Sequence, residues 1–233
     1  MREFITQSSF FGIVLSFAVY MAYYWIKERF KIKSPFFNPL ILAAATIIIL
    51  LLMTNIDFET YNQSAGQVTY WLTPMTICLA IPLYRQIEKL KENLAAVLIS
   101  IIAGCLGHVV TLFLIAGLTK LDTVLLNSVL SKSVTTAIAL GLTEELGGIE
   151  SVTIVGVTIA GLTGVSLGPS ILKLLKITEP VAKGLALGTA SHAVGTSKAM
   201  EMGELEGAMS SLAIVVTGIL TVIIVPIFVG ILE

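Results

Sequence analysis

Apolar residues in this chain form long, nearly unbroken runs separated by short polar hinges. Runs over 10–26, Pro39–Thr54, 68–84, 94–118, 151–172 and 208–232 approach or reach the length a helix needs to cross a hydrocarbon core, about 20 residues. Other stretches depart from that pattern. The run 68–84 carries Pro74 and Pro82, which predicts a kinked or interrupted helix. Segment 119–132 repeats Leu121, Leu125 and Val129 beside Asp122 and Asn127, the pattern of an amphipathic interfacial helix. Segment 133–146 is apolar but too short to span comfortably, which suits a re-entrant helix.

The most unusual stretch is 184–207. It sits among apolar runs yet holds Thr189, Ser191, His192, Thr196, Ser197 and Lys198, and Gly184, Gly188, Gly195 and Gly203 punctuate it. Glycine weakens helices, and ionisable groups in hydrocarbon cost several kcal/mol unless they face protein or water. A broken helix lining a polar cavity satisfies both constraints. The pattern therefore predicts an all-α polytopic membrane protein with about 7–8 transmembrane helices, some broken or re-entrant.

Composition agrees. The 233 residues are 56% hydrophobic and 12% charged, too few charges to solvate a globule of this size. The net charge is −1 and the basic residues form no patch, so nothing points to nucleic acid. Cys78 and Cys105 lie inside apolar runs and read as buried small hydrophobes. The head of the chain lacks a basic n-region, so 10–26 reads as a retained first crossing. Basic residues gather at 27–33, 85–93 and 173–183, which places those loops in the cytoplasm and loop 55–67, with Asp57 and Glu59, outside.

Sliding the chain by sixty residues lays 133–155 on 193–215. Val134, Thr136, Ala139, Glu144, Gly147 and Ser151 then match Val194, Thr196, Ala199, Glu204, Gly207 and Ser211. In each copy Thr and Glu share one helical face, about 12 Å apart along the axis. A weaker third copy lays Thr76 over Thr136. The chain reads as one domain over 1–233, with N-terminal helices in 1–120 and repeat-related helix pairs in 131–172 and 181–231.

The segments PLYRQ (82–86), KSVTTAIA (132–139) and GLALGTASHAVGTSKAMEMGELEGAMSSLA (184–213) resemble the signature regions of the LrgB/CidB family. The likeness covers nearly the whole chain. It implies a multi-pass protein of the bacterial plasma membrane, of a kind named as antiholin-like or holin-like regulators of murein hydrolases and cell lysis. Similar proteins include a plastid glycolate/glycerate translocator and bacterial pyruvate-uptake components, often paired with a small LrgA/CidA partner. Two positions depart from the family pattern: Ala137 stands where proline is common, and Ser197-Lys198 where an Ala-Arg pair is common. The second keeps a positive charge but gives up bidentate carboxylate binding.

The candidate substrate-binding residues are Thr135, Thr136, Ser191, His192, Gly195, Thr196, Ser197 and Lys198. Hydroxyls and imidazole are donors for an anion, and unpaired N–H groups at a helix break add a positive dipole end. Lys198 is either a carboxylate counter-charge or a partner for Glu201 one turn on. His192, Glu144 and Glu204 are candidates for ion or proton coupling; the two glutamates also fit solvated helix ends. No nucleophile elbow, metal-spaced His/Cys cluster or P-loop occurs, so the sequence implies neither an enzyme nor a cofactor or metal. Two function classes follow: a secondary carrier for small monocarboxylates of the pyruvate/glycolate class, and a holin-like regulator acting as a homo-oligomer in membrane lipid. Duplicated polar helix breaks favour the carrier.

The charge pattern makes a direct statement about orientation. Single cysteines placed at Lys31, Lys89 and Lys176 are expected to react only with reagent supplied from the cytoplasmic side. Labelling of any one from outside intact cells would break the assignment.

Overall fold

The computed structural model describes residues 8–32, 37–71, 74, 77–78, 80–85, 87–92 and 94–232. Among them the secondary structure is helical, with no β-strand. The chain divides into two compact units, Met1–Cys78 and Leu79–Glu233.

The first unit contains α1 (Phe11–Arg29), α2 (Pro39–Thr54), α3 (Phe58–Ala65) and a 3-10 helix, Gly66–Trp71. The side chain of Asn38 accepts the Leu40 N–H at 2.9 Å, and Pro39 takes the first helical position, where a missing N–H costs nothing. Helix α1 meets α2 through Tyr23 Oη and Thr46 Oγ1 at 2.8 Å. It meets α3 at Gly12, whose N–H donates to Ser64 Oγ at 2.6 Å; a Cβ there would run into the Tyr61 carbonyl. Thr73 and Thr76, on which the third repeat copy rests, lie outside the described residues, as do Lys33 and Gln86.

The second unit follows as α4 (Ala80–Arg85), α5 (Ile87–Glu92), α6 (Leu94–Thr119), α7 (Thr123–Leu130), α8 (Thr136–Glu145), α9 (Glu150–Leu174), α10 (Pro180–Met202) and α11 (Glu204–Leu232). Among the described residues, α6, α9 and α11 are long and apolar enough to cross a membrane. Helix α9 runs on through Pro169, which lies inside it. Large apolar side chains such as Ile99, Leu114, Ile159 and Ile219 face outward, while Cys105, Ala208, Ser210, Ala213 and Thr217 are buried. That inversion is what a lipid solvent demands: lipid tails are as apolar as isoleucine, so helices associate through small and hydroxyl residues. The same physics explains Cys78, which is exposed rather than buried. An apolar sequence context does not distinguish lipid from core.

Helix α10 is two arms. Ser191 (φ −139°, ψ 18°) and His192 (φ 42°, ψ −139°) leave helical geometry between 180–190 and 193–202. The contacts with α11 fix the direction of each arm. Gly184 lies on the Glu206 backbone and Met209, and Gly188 on the Ser210 backbone and Ala213, so the first arm and α11 advance together. Thr196 bonds Ser210, while Met200 lies against Gly207, so the second arm runs the opposite way. The chain thus turns back on itself at Ser191–His192. Gly203, in extended conformation, then starts α11.

Helices α7 and α8 repeat this arrangement against α9. Thr153 Oγ1 donates to the Ser128 carbonyl at 2.8 Å, and the Lys132 Cβ would lie 3.4 Å from a Cβ at Gly156, so α7 advances along α9. Thr143 bonds Thr153 at 2.9 Å, whereas Ala139, nearer the start of α8, clusters with Val157, so α8 returns. Ser131, Thr143 and Thr153 form a buried hydroxyl chain, and Asn127 Nδ2 donates to the Leu146 carbonyl at 2.9 Å. Segment 119–132 is thus packed along one face, while Leu121, Val124 and Leu125 stay exposed. Leu126, Asn127, Ser128 and Leu130 are buried, and the amphipathic pattern reflects a polar interior contact.

Glycine contacts between α10 and α11 should be measurable. Gly188→Ala places a Cβ 2.7 Å from that of Ala213, and overpacking of this kind costs about 1–3 kcal/mol. Gly230, with nothing within 4 Å of an added Cβ, is expected to accept alanine with a gain of up to about 1 kcal/mol. Denaturant titration of both variants in detergent checks this, and equal stability would contradict the close approach.

Candidate functional site

The second break is held by α9. A Cβ on Gly164 would overlap the Ser191 side chain, and one on Gly161 would lie 2.9 Å from the His192 ring. The His192 Nε2 pairs with the Val157 carbonyl at 3.1 Å. For a side chain other than glycine, the His192 backbone conformation costs of order 1–3 kcal/mol and persists only where its surroundings hold it. Two glycines and one carbonyl of α9 provide that hold.

The break within 184–207 falls at Ser191–His192. Gly195 is helical, and a Cβ there would lie 2.5 Å from the Leu187 carbonyl oxygen, so this glycine lets the second arm cross the first. Thr196 is fully buried, and its Oγ1 bonds the His192 carbonyl at 3.0 Å and Ser210 Oγ at 2.7 Å. Ser197 Oγ donates to the Val194 carbonyl at 2.7 Å. Lys198 pairs with Glu201 at 2.6 Å, the second of its two sequence readings. Glu144 and Glu204 are exposed at helix ends, and Glu204 lies 3.9 Å from Arg85.

The first break, residues 131–135, joins α7 to α8. Thr135 is half-buried at the start of α8, and Thr136 is exposed. Extending the sixty-residue alignment by two positions sets Ser131-Lys132 over Ser191-His192. The contacts obey the same shift: Ser128 meets Thr153 as Gly188 meets Ala213.

Two cavities flank the first arm of α10. One, of about 540 Å³, lies against α9 and is lined by Gly156, Thr163, Gly164 and Ser191 among others. The other, of about 610 Å³, lies against α6 and is lined by Ser100, Gly104, His108 and Thr189 among others. Lys132, Ala186 and Ala190 line both. His108 Nε2 pairs with the Leu130 carbonyl at 3.0 Å, two residues before Lys132. Of the sequence candidates, Ser191 alone lines either cavity. Lys132, Ser133, His108 and Thr189 were not among the sequence candidates, although the extended alignment carried the signal for Lys132.

Apolar spans outside, hydroxyls and glycines inside and polar residues at interior helix breaks define an all-α membrane protein. The chain belongs to the LrgB-like family, whose model matches residues 16–231. Relatives named antiholin-like protein LrgB, from Bacillus cereus strains B4264 and AH187 and Bacillus anthracis strain CDC 684 / NRRL 3495, are 40% identical over 225 residues, covering 96% of this chain and of each relative. No solved structure matches the chain.

The commitment of the Thr196 hydroxyl leads to a specific expectation. Thr196→Val removes a buried hydrogen bond worth about 0.5–1.5 kcal/mol and leaves Ser210 short of a partner. Stability in detergent should therefore fall by about that amount. Stability equal to wild type would contradict the buried bond.

Proposed function

We propose that this LrgB-like protein is a secondary carrier for small organic anions of the pyruvate/glycolate class in the bacterial plasma membrane. The observation that carries the reading is the reversal of α10 in the protein interior. Arg85, at the end of α4 in the basic stretch 85–93 that the charge rule assigns to the cytoplasm, lies 3.9 Å from Glu204 at the end of that hairpin. Lys183, in the first turn of α10 at its other end, belongs to a second basic stretch, 173–183. Both ends of α10 then lie on the cytoplasmic side, and α10 re-enters instead of crossing.

The α7–α8 hairpin precedes α9, and α9 ends at the basic residues Lys173 and Lys176. One crossing separates the two hairpins, so the first enters from outside. This makes an inverted pair of re-entrant hairpins whose breaks both lie along α9. Irregular backbone at membrane depth is tolerated where protein or a cavity satisfies it, and carriers use such breaks to bind ions near the midplane. Counted this way, the two re-entrant segments contribute no crossing. The work needs neither a catalytic residue nor a cofactor.

The name antiholin-like, carried by the relatives, favours a second reading: an oligomeric regulator of membrane permeability and lysis. Proteoliposomes separate the two. A carrier is expected to give saturable uptake of radiolabelled pyruvate or glycolate while a trapped dye stays inside. Unsaturable entry with dye release supports the hole-forming branch, and absence of both in well-folded protein refutes the carrier.

A further inference from the structure

We infer that Lys132 is the counter-charge for the transported anion and that one site, centred on this lysine, is reached from both cavities. The inference rests on the carrier reading and assigns its ligand-binding charge. Lys132 is half-buried at the first helix break, and among the described residues no carboxylate pairs with it. A cation in the interior of a membrane protein is costly without a partner. Neither cavity is lined by any Asp or Glu.

The geometry adds the two-sided access. Lys132 lines the cavity against α9 and the cavity against α6, and the rest of the shared wall is Ala186 and Ala190. Alanine leaves room beside the lysine stem on either side of the α10 arm. Hydroxyl donors stand on both sides, Ser191 and Thr163 in one cavity and Ser133 and Thr189 in the other. Each cavity, at about 540 and 610 Å³, falls in the range that holds small ligands.

Repeat symmetry sharpens the assignment. The position equivalent to Lys132 in the second hairpin is His192, but that ring is buried and bonded to the Val157 carbonyl. Lys198, the other cation near this break, is neutralised by Glu201. Lys132 is thus the uncommitted charge of the pair of tips. One uncompensated positive charge in a mostly apolar lining selects a monoanion; a dicarboxylate would bring a second charge with no partner.

The test is uptake of radiolabelled pyruvate by proteoliposomes holding wild type, Lys132→Met or Lys132→Arg. Losing a charged partner is expected to reduce Lys132→Met uptake roughly ten- to a hundredfold. Lys132→Arg should retain measurable uptake with a raised KM, and succinate should compete far more weakly than glycolate. Lys132→Met uptake equal to wild type overturns the assignment while the carrier reading stands. A folded wild type that moves neither pyruvate nor glycolate overturns the carrier reading and the assignment with it. A readout on unmodified wild type guards against a misfolded variant. Pyruvate is expected to slow reaction of Lys132 with an amine reagent, followed by peptide mass spectrometry, without slowing that of Lys176. Equal reactivity of Lys132 with and without pyruvate also overturns the assignment.

Discussion

The close approach of the two α10 arms to α11 is the contact on which the rest of the second unit depends. A helix that turns back in a membrane interior leaves peptide groups that lipid cannot satisfy, so the reversal must be wrapped in protein. Gly184 and Gly188 let the first arm press on the α11 backbone, and Gly207 receives Met200 from the second. Gly195 lets the arms cross, while Gly161 and Gly164 of α9 receive His192 and Ser191. No hydrophobic driving force acts between helices in lipid, so this density of packing takes its place.

The first hairpin solves the same problem with hydroxyls. Where α10 uses glycine at Gly188, α7 has Ser128, whose carbonyl and Oγ bond Thr153 and the Ile149 N–H. The chain Ser131–Thr143–Thr153 then ties both arms to α9 through hydrogen bonds. The two hairpins share a register but differ in what fills the contact. Their tips differ as well: one histidine is locked to a carbonyl, and one lysine faces open cavities on two sides.

Much of this was legible in the sequence. Long apolar runs gave the helices, glycines among polar residues marked 184–207 as broken, and spacing paired Lys198 with Glu201. The exact break was hidden, because Gly195 marks a close contact and nothing in the sequence announces the strained backbone at His192. The amphipathic pattern of α7 did not reveal that Asn127 and Ser128, its polar residues, face a buried partner instead of water. In the sequence Lys132 stood out only as the first residue of KSVTTAIA (132–139). Only its register against His192, and the cavities that the folded hairpins create, single it out.

The central claim is that α10 enters and leaves the membrane on one side. Sided thiol labelling of Lys183→Cys and Glu201→Cys, each in a background with Cys78 and Cys105 replaced by serine, tests it directly. The account expects both positions to react from the cytoplasmic face alone. Reaction of Lys183→Cys and Glu201→Cys from opposite faces would make α10 a crossing helix and contradict the account.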